Sequence, residues 1–378
     1  MTETVSESKL KIAAVQVAPV YLDRDATVEK ACKLIAEAGR NGAGLVVFPE
    51  SFIPAYPDWV WAVPAGADSV LSEMYARLLA NSVEVPGAAT QRLCRAAKAA
   101  GAHVVMGMTE RNIEASGASL YNTLLFIDSE GNILGKHRKL VPTGAERLVW
   151  AQGDGSTLHV FDTPFGRLGG LICWENYMPL ARYAMYAWGT QVHVAATWDR
   201  GEPWLSTLRH IAREGGAFVV GCCMTLRKAD VFAKAPALQP FYKSRGDWIN
   251  IGDSAIVSPE GEFIAGPLRK EEGILYAEVD VAGTRGAKWM LDVAGHYARP
   301  DVFELTVHTE PRPVITSNRG GTSLPARDGK VESPRRNAPR PARGGVSNHE
   351  RSTGASRTRT PSTARPSIPQ DEREDAPR

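Results

Sequence analysis

Cysteine is scarce in this chain of 378 residues: five, at positions 32, 94, 173, 222 and 223. An odd, sparse set without a Cys-x-x-Cys pair does not build a disulfide framework. Cys222 and Cys223 are adjacent, so on a strand their side chains leave opposite faces. They make a poor metal clamp even with His193 or His210 nearby, and no metal site is expected. Long apolar runs are also missing. None approaches the ~18 residues that cross a bilayer, and the longest, 217–226, is broken by Gly221 and Thr225. The opening MTETVSESKL is polar and acidic, without the basic start and apolar stretch of a secretory leader. These absences lead to the expectation of a cytoplasmic protein with no membrane partner.

The last 62 residues, 317–378, lack Phe, Tyr and Trp and hold only four of Val, Leu, Ile and Met, against eight Pro, six Gly and twelve Arg. Such a segment cannot bury enough apolar area to offset its ordering entropy, so it reads as a disordered basic tail. Contact with nucleic acid is the rival reading, but no aromatics are interleaved for stacking. The overall charge of +2 is therefore a composite: the tail carries +6 and residues 1–316 carry −4. The mildly acidic body has no electrostatic reason to seek nucleic acid. Residues 1–9 read as a flexible N-terminus and 10–316 as one domain.

That body alternates strands and helices. Strand-like runs lie at 11–17, 44–48, 103–108, 168–172, 192–196, 218–222 and 274–279. Helical patterns lie at 26–39, about 69–81, 88–100, from Pro179 to the Gly189 stop, and 204–214 before Gly215-Gly216. Two hairpins are expected, 120–128 with 133–137 and 255–257 with 263–265. The mixture implies an α/β body with a mixed sheet.

Ligands in such folds collect where strands end. GLVVFPE ends at Glu50, and the second strand of the first hairpin runs into GKHRKLVPTGAER. LGGLICWEN ends at Cys173, ahead of Pro179. A thiol at a strand-to-helix elbow sits near the positive end of a helix dipole, which favours thiolate. Glu50 is the natural base, and Lys139 the natural electrophilic partner. A Cys–His pair is the rival, with His137, His193 or His210 as base, and nothing in their spacing selects one.

FPE at 48–50, HRKLVPT at 137–143 and GGLICWENYMPL at 169–180 together resemble the Glu–Lys–Cys signature of the nitrilase superfamily of carbon–nitrogen hydrolases. Order and separations match: 89 residues from Glu50 to Lys139 and 34 from Lys139 to Cys173. The likeness runs from about residue 11 to about 311. Cys-Trp-Glu-Asn and the GHYARPD run at 295–301 resemble the nitrilase branch of bacteria and plants more than the amidase or carbamoylase branches.

The resemblance implies a four-layer α-β-β-α sandwich that pairs through helices near the active site and extends into spirals or filaments. It implies Cys173 as nucleophile, Glu50 as general base and acid, Lys139 as stabiliser of the anionic intermediate, and Glu146 as a second glutamate. The substrate would be a small nitrile, hydrolysed to acid and ammonia without metal or organic cofactor. Tyr56, Trp61, Trp174, Thr197 and Trp198 are the expected pocket residues, and their aromatic character suits an apolar arylaliphatic, aromatic or aliphatic group. The alternatives are a cyanide-converting relative, an amidase of the same superfamily and, from a different class, a non-catalytic assembly or nucleic-acid protein that works through its tail.

Overall fold

The structure, a computed structural model, describes residues 9–312. The tail 317–378 and the N-terminal segment lie outside them, save Lys9, which already pairs with Asp280. In chain order the strands are β1 (Lys9–Gln16), β2 (Leu45–Val47), β3 (His103–Arg111), β4 (Leu120–Ile127), β5 (Ile133–Arg138), β6 (Val160–Thr163), β7 (Gly166–Ile172), β8 (Val192–Thr197), β9 (Phe218–Cys223), β10 (Thr225–Arg227), β11 (Trp248–Val257), β12 (Phe263–Arg269) and β13 (Gly273–Asp280). The helices are α1 (Arg24–Arg40), α2 (Asp68–Ala80), α3 (Ala88–Ala100), α4 (Pro179–Ala187), α5 (Glu202–Gly215), α6 (Lys228–Lys234) and α7 (Gly283–Ala287).

Two sheets form. The first has the order β13-β1-β2-β3-β4-β5, and the second β10-β11-β9-β8-β7-β6 with β12 beside β11. Both are mixed: β1, β2 and β3 run parallel, as do β7, β8 and β9, and antiparallel hairpins complete each sheet.

Strand alternation builds the layers. In β1, Ile12 and Ala14 join Leu124, Val194, Val220 and Ile256 in a core between the sheets. Their neighbours Ala13 and Val15 face the other way, against Val28 and Ile35 of α1 and Leu93 of α3. Both faces are buried, so such strands read as continuous apolar runs. The outer face of the second sheet is covered by Leu205, Leu208 and Ile211 of α5 with Tyr186 of α4. The result is the expected α-β-β-α sandwich. Asp23 caps α1 by accepting from the Ala26 amide at 3.1 Å. Gly216, in the left-handed conformation at φ +55°, closes α5.

A further cluster lies beyond the layers, where Tyr21, Trp59, Leu78 of α2, Leu238 and Tyr242 meet. It carries the loops that wall the site. Five elements were not expected from the sequence: β6, β10, α6, α7 and the 248–254 half of β11. In that half, buried Asn250, Asp253 and Ser254 look like a loop, and Gly252 and Asp253 have positive φ with a register shift beside them.

Candidate active site

Three strand ends from two sheets converge. Glu50 follows β2, Lys139 follows β5 and Cys173 follows β7. The Glu50 turn rests on β3 at Gly107, where a Cβ would lie 1.9 Å from the Pro49 carbonyl oxygen, so only glycine admits this approach. Cys173 opens a 3₁₀ turn (Cys173–Tyr177) with φ +52°, a left-handed conformation uncommon for any residue with a side chain. Neighbouring bonds hold it there. The Asn176 amide donates to the carbonyls of Leu171 (3.1 Å) and Cys173 (2.9 Å), and its oxygen lies 2.8 Å from His193 Nε2.

The charged groups form a chain. Lys139 Nζ donates to Glu50 Oε1 at 2.9 Å and to Glu146 Oε2 at 2.7 Å, with all three side chains almost fully buried. Asn122 of β4 also donates to Glu50 Oε1, at 2.7 Å, while Glu50 Oε2 is buried without a hydrogen-bond partner. Tyr56 donates from Oη to Glu146 Oε1 at 2.7 Å and accepts from Trp61 Nε1 at 3.0 Å. Its ring stacks on Trp198 at 4.3 Å between centroids and 4° between planes.

Burial pushes the Glu50 carboxyl up, Lys139 pulls it back and Glu146 pushes again, leaving it at about 7. Burial works against the charge of Lys139, but Glu50, Cys173 and Glu146 outweigh it and hold the ammonium above its ordinary range. Burial raises the Cys173 thiol, the Glu50 charge adds to this, and Lys139 offsets only part. The helix-dipole expectation of a resting thiolate is therefore corrected. α4 begins only at Pro179, and burial with the charges of Glu50 and Glu146 raises the thiol more than Lys139 lowers it. A thiol that rests protonated needs a base, and a carboxyl poised near 7 is suited to be one.

Residues 11–288 match the carbon–nitrogen hydrolase family. The chain belongs to it. Nitrilase 2 of Arabidopsis thaliana is 41% identical over 317 residues, covering 82% of this chain and 92% of the plant protein. An aliphatic nitrilase of Sinorhizobium fredii (strain HH103) is 42% identical, covering 82% and 99%. A bifunctional nitrilase/nitrile hydratase of Nicotiana tabacum, NIT4B, is 40% identical, covering 81% and 88%. Among solved structures, a carbon–nitrogen hydrolase from Helicobacter pylori G27 superposes with a TM-score of 0.60 at 21% identity, covering 79% of this chain and 98% of that one. Nit3 of Saccharomyces cerevisiae gives 0.59 at 21%, covering 76% and 96%. Both share the fold.

The hydrolase presents Cys173 and Glu146 to an open cavity of about 590 Å³. Tyr56, Trp61, Trp174 and Trp198 line it, as does Trp248, which the sequence did not single out. Thr197, expected in the lining, is fully buried instead. As the last residue of β8 it favours the charged form of the Cys173 thiol, and its oxygen accepts from the Asp199 amide at 2.7 Å. Asp199 in turn accepts from Trp174 Nε1 at 2.9 Å, which fixes an indole that is otherwise half exposed.

None of the three histidines weighed as a base meets the thiol. His137 Nε2 lies 3.0 Å from Glu175 Oε2, His193 is bound to Asn176, and His210 is exposed beside Glu214. Asn122 and Glu175 were missed. Each is a buried polar side chain inside an apolar segment, a pattern that signals a required partner without naming it.

Proposed function

We propose that this carbon–nitrogen hydrolase is a nitrilase that converts an organic nitrile and two waters into a carboxylic acid and ammonia. The observation that carries the mechanism is the division of labour on Glu50. Oε1 is held by Lys139 and Asn122, Oε2 is buried without a hydrogen-bond partner, and the Glu50 charge acts on the Cys173 thiol and raises it. Glu50 takes the Cys173 proton, and sulfur attacks the nitrile carbon. The proton passes to nitrogen, giving a thioimidate. Water adds with Glu50 as base, and ammonia leaves from the tetrahedral adduct. A second water then cleaves the thioester and frees the acid and the thiol. Lys139 and the main-chain N–H of Trp174 face the charge that develops on nitrogen and then on oxygen, each such donor being typically worth ~3 kcal/mol in the transition state. Glu146 orients Lys139 and keeps Glu50 basic.

The aromatic cavity suits arylaliphatic, aromatic or larger aliphatic nitriles. Our reading places the enzyme in the cytoplasm as a homo-oligomer built from dimers, capable of spirals or filaments, with 10–316 as the catalytic domain and 317–378 as a tail without catalytic part. No helix among the described residues is long and apolar enough to cross a membrane. The test is incubation with phenylacetonitrile, benzonitrile, fumaronitrile, the matching amides and cyanide, with acid, amide and ammonia quantified. Ammonia and acid from an organic nitrile support the assignment. Folded protein that acts only on amides, or only on cyanide, overturns it.

A further inference from the structure

Glu175 lies outside the cavity, almost fully buried, and its carboxylate is saturated. Oε1 accepts from the main-chain N–H of Leu140 at 2.6 Å, and Oε2 accepts from that of Ile172 at 2.7 Å. His137 Nε2 lies 3.2 Å and 3.0 Å from the two oxygens, and its Nδ1 lies 3.2 Å from the Thr157 carbonyl. Leu140 is the residue after Lys139, and Ile172 the residue before Cys173. One carboxylate therefore holds the two chain segments that deliver the ammonium and the thiol, one from each sheet. Short bonds from N–H to an ionised carboxylate are about twice as strong as neutral ones, and here two of them tie both segments to one group.

We propose that Glu175, backed by His137, is a positioning residue that sets the register of Lys139 against Cys173 across the two sheets. The inference builds on the nitrilase reading but has an observable independent of it. A buried main-chain N–H needs some acceptor, and any acceptor would satisfy it. The distinctive feature here is that one rigid group serves both catalytic segments. Glutamine has the size of glutamate but one acceptor oxygen. Its amide would set a donor against one of the two N–H groups, so one segment must come loose.

The experiment compares Glu175→Gln with Glu110→Gln. Glu110 is also buried and joins β3 to β5 through Lys136 and Arg138, but touches neither Leu140 nor Ile172. Circular dichroism and melting first fix a temperature at which both variants are folded. Carboxamidomethylation of Cys173 by iodoacetamide is then followed by peptide mass spectrometry across pH 5–9, alongside ammonia release from the best nitrile. Glu175→Gln is expected to slow Cys173 alkylation at least tenfold and lower kcat at least thirtyfold with KM within twofold, while Glu110→Gln leaves the alkylation profile unchanged. A Glu175→Gln protein with a lowered melting temperature but wild-type alkylation and kcat overturns the proposal. So does an equal loss in Glu110→Gln. If Glu175→Gln does not fold, His137→Asn, too short to reach the carboxylate, takes its place. A fivefold or larger slowing of alkylation supports the role, and no change overturns it. Wild-type protein that releases no ammonia from any nitrile, yet whose Cys173 alkylation depends on Glu175, removes the nitrilase reading and leaves the positioning role standing.

Discussion

Asn122 grips Lys139 and its partner together. Its main-chain carbonyl accepts from the Lys139 amide at 2.8 Å, and its side chain donates to the same Glu50 oxygen that Lys139 Nζ reaches. The lysine backbone, the lysine tip and the glutamate are thus fixed by one residue of β4. The pairing also sets how basic Glu50 is, since a hydrogen bond to the ionised form lowers a carboxyl pKa.

The pH profile should therefore move in opposite directions in two variants. With Glu50 at about 7, the acid limb of kcat/KM is expected near pH 7, rising as Glu50 ionises. Asn122→Ala removes a bond that favours the charged form and should shift the limb upward. Glu146→Gln removes a negative neighbour and should shift it downward, on top of any loss in rate. The profiles of kcat/KM for the three proteins check this, and limbs that coincide reject Glu50 as the titrating group.

Cys173→Ala should abolish ammonia release, because no other cysteine lines the cavity. Glu50→Gln and Lys139→Ala should each lower kcat by about 10³-fold or more, consistent with groups that act as a unit. Because Lys139 is buried between two carboxylates, its loss leaves them unpaired, and a lower melting temperature should accompany the Ala variant. Single-turnover rates on folded protein check the assignment. Substantial activity in either variant removes that residue from the mechanism.

The Tyr56–Trp198 stack should report on binding more than on chemistry. Trp198→Ala exposes one face of the Tyr56 ring and removes a wall of the cavity. For phenylacetonitrile, KM is expected to rise about tenfold with kcat changed less, in keeping with stacking worth ~1 kcal/mol beyond area burial. Tyr56→Phe removes a donor to Glu146 and should lower kcat instead. Steady-state kinetics on both variants separate the two effects.

His193 should make the protein acid-sensitive without itself meeting the thiol. Burial, helped by Arg182, holds it down to about 4. Above pH 6.5 the folded and unfolded chains both carry it neutral. Between 6.5 and 4 the unfolded chain binds a proton that the folded one refuses, so stability falls as pH falls, by about 3 kcal/mol over the window. His193→Gln should shrink the drop in melting temperature between pH 7.5 and 5. A drop as large as in the wild type places the acid sensitivity elsewhere.

The parts of the site legible in the sequence were those written along one segment. Glu50 and Cys173 stand where apolar strands stop, Lys139 follows the basic end of a hairpin strand, and their order needs no knowledge of the fold. The hairpins at 120–137 and 255–265 were legible for the same reason, because each turn carries its own signal. Asn122 and Glu175 were not, since their meaning lies in a partner 72 or 35 residues away, past the end of another strand. At Cys173 burial and the charges of Glu50 and Glu146 override any helix dipole, and local position in the chain carries no sign of them. The 248–254 half of β11 escaped because its buried Asn250 and Asp253 are satisfied by distant partners, the Trp198 carbonyl and Arg269.

The base and the ammonium ride on one sheet and the nucleophile on the other, with the side chains of the inner core packed between the two layers. Turnover is consequently a gauge of sliding between the sheets. A substitution there, such as Leu124→Ala or Val194→Ala, touches no substrate. It nevertheless loosens the layers against each other, and lost catalysis should register that slip before circular dichroism registers any lost strand.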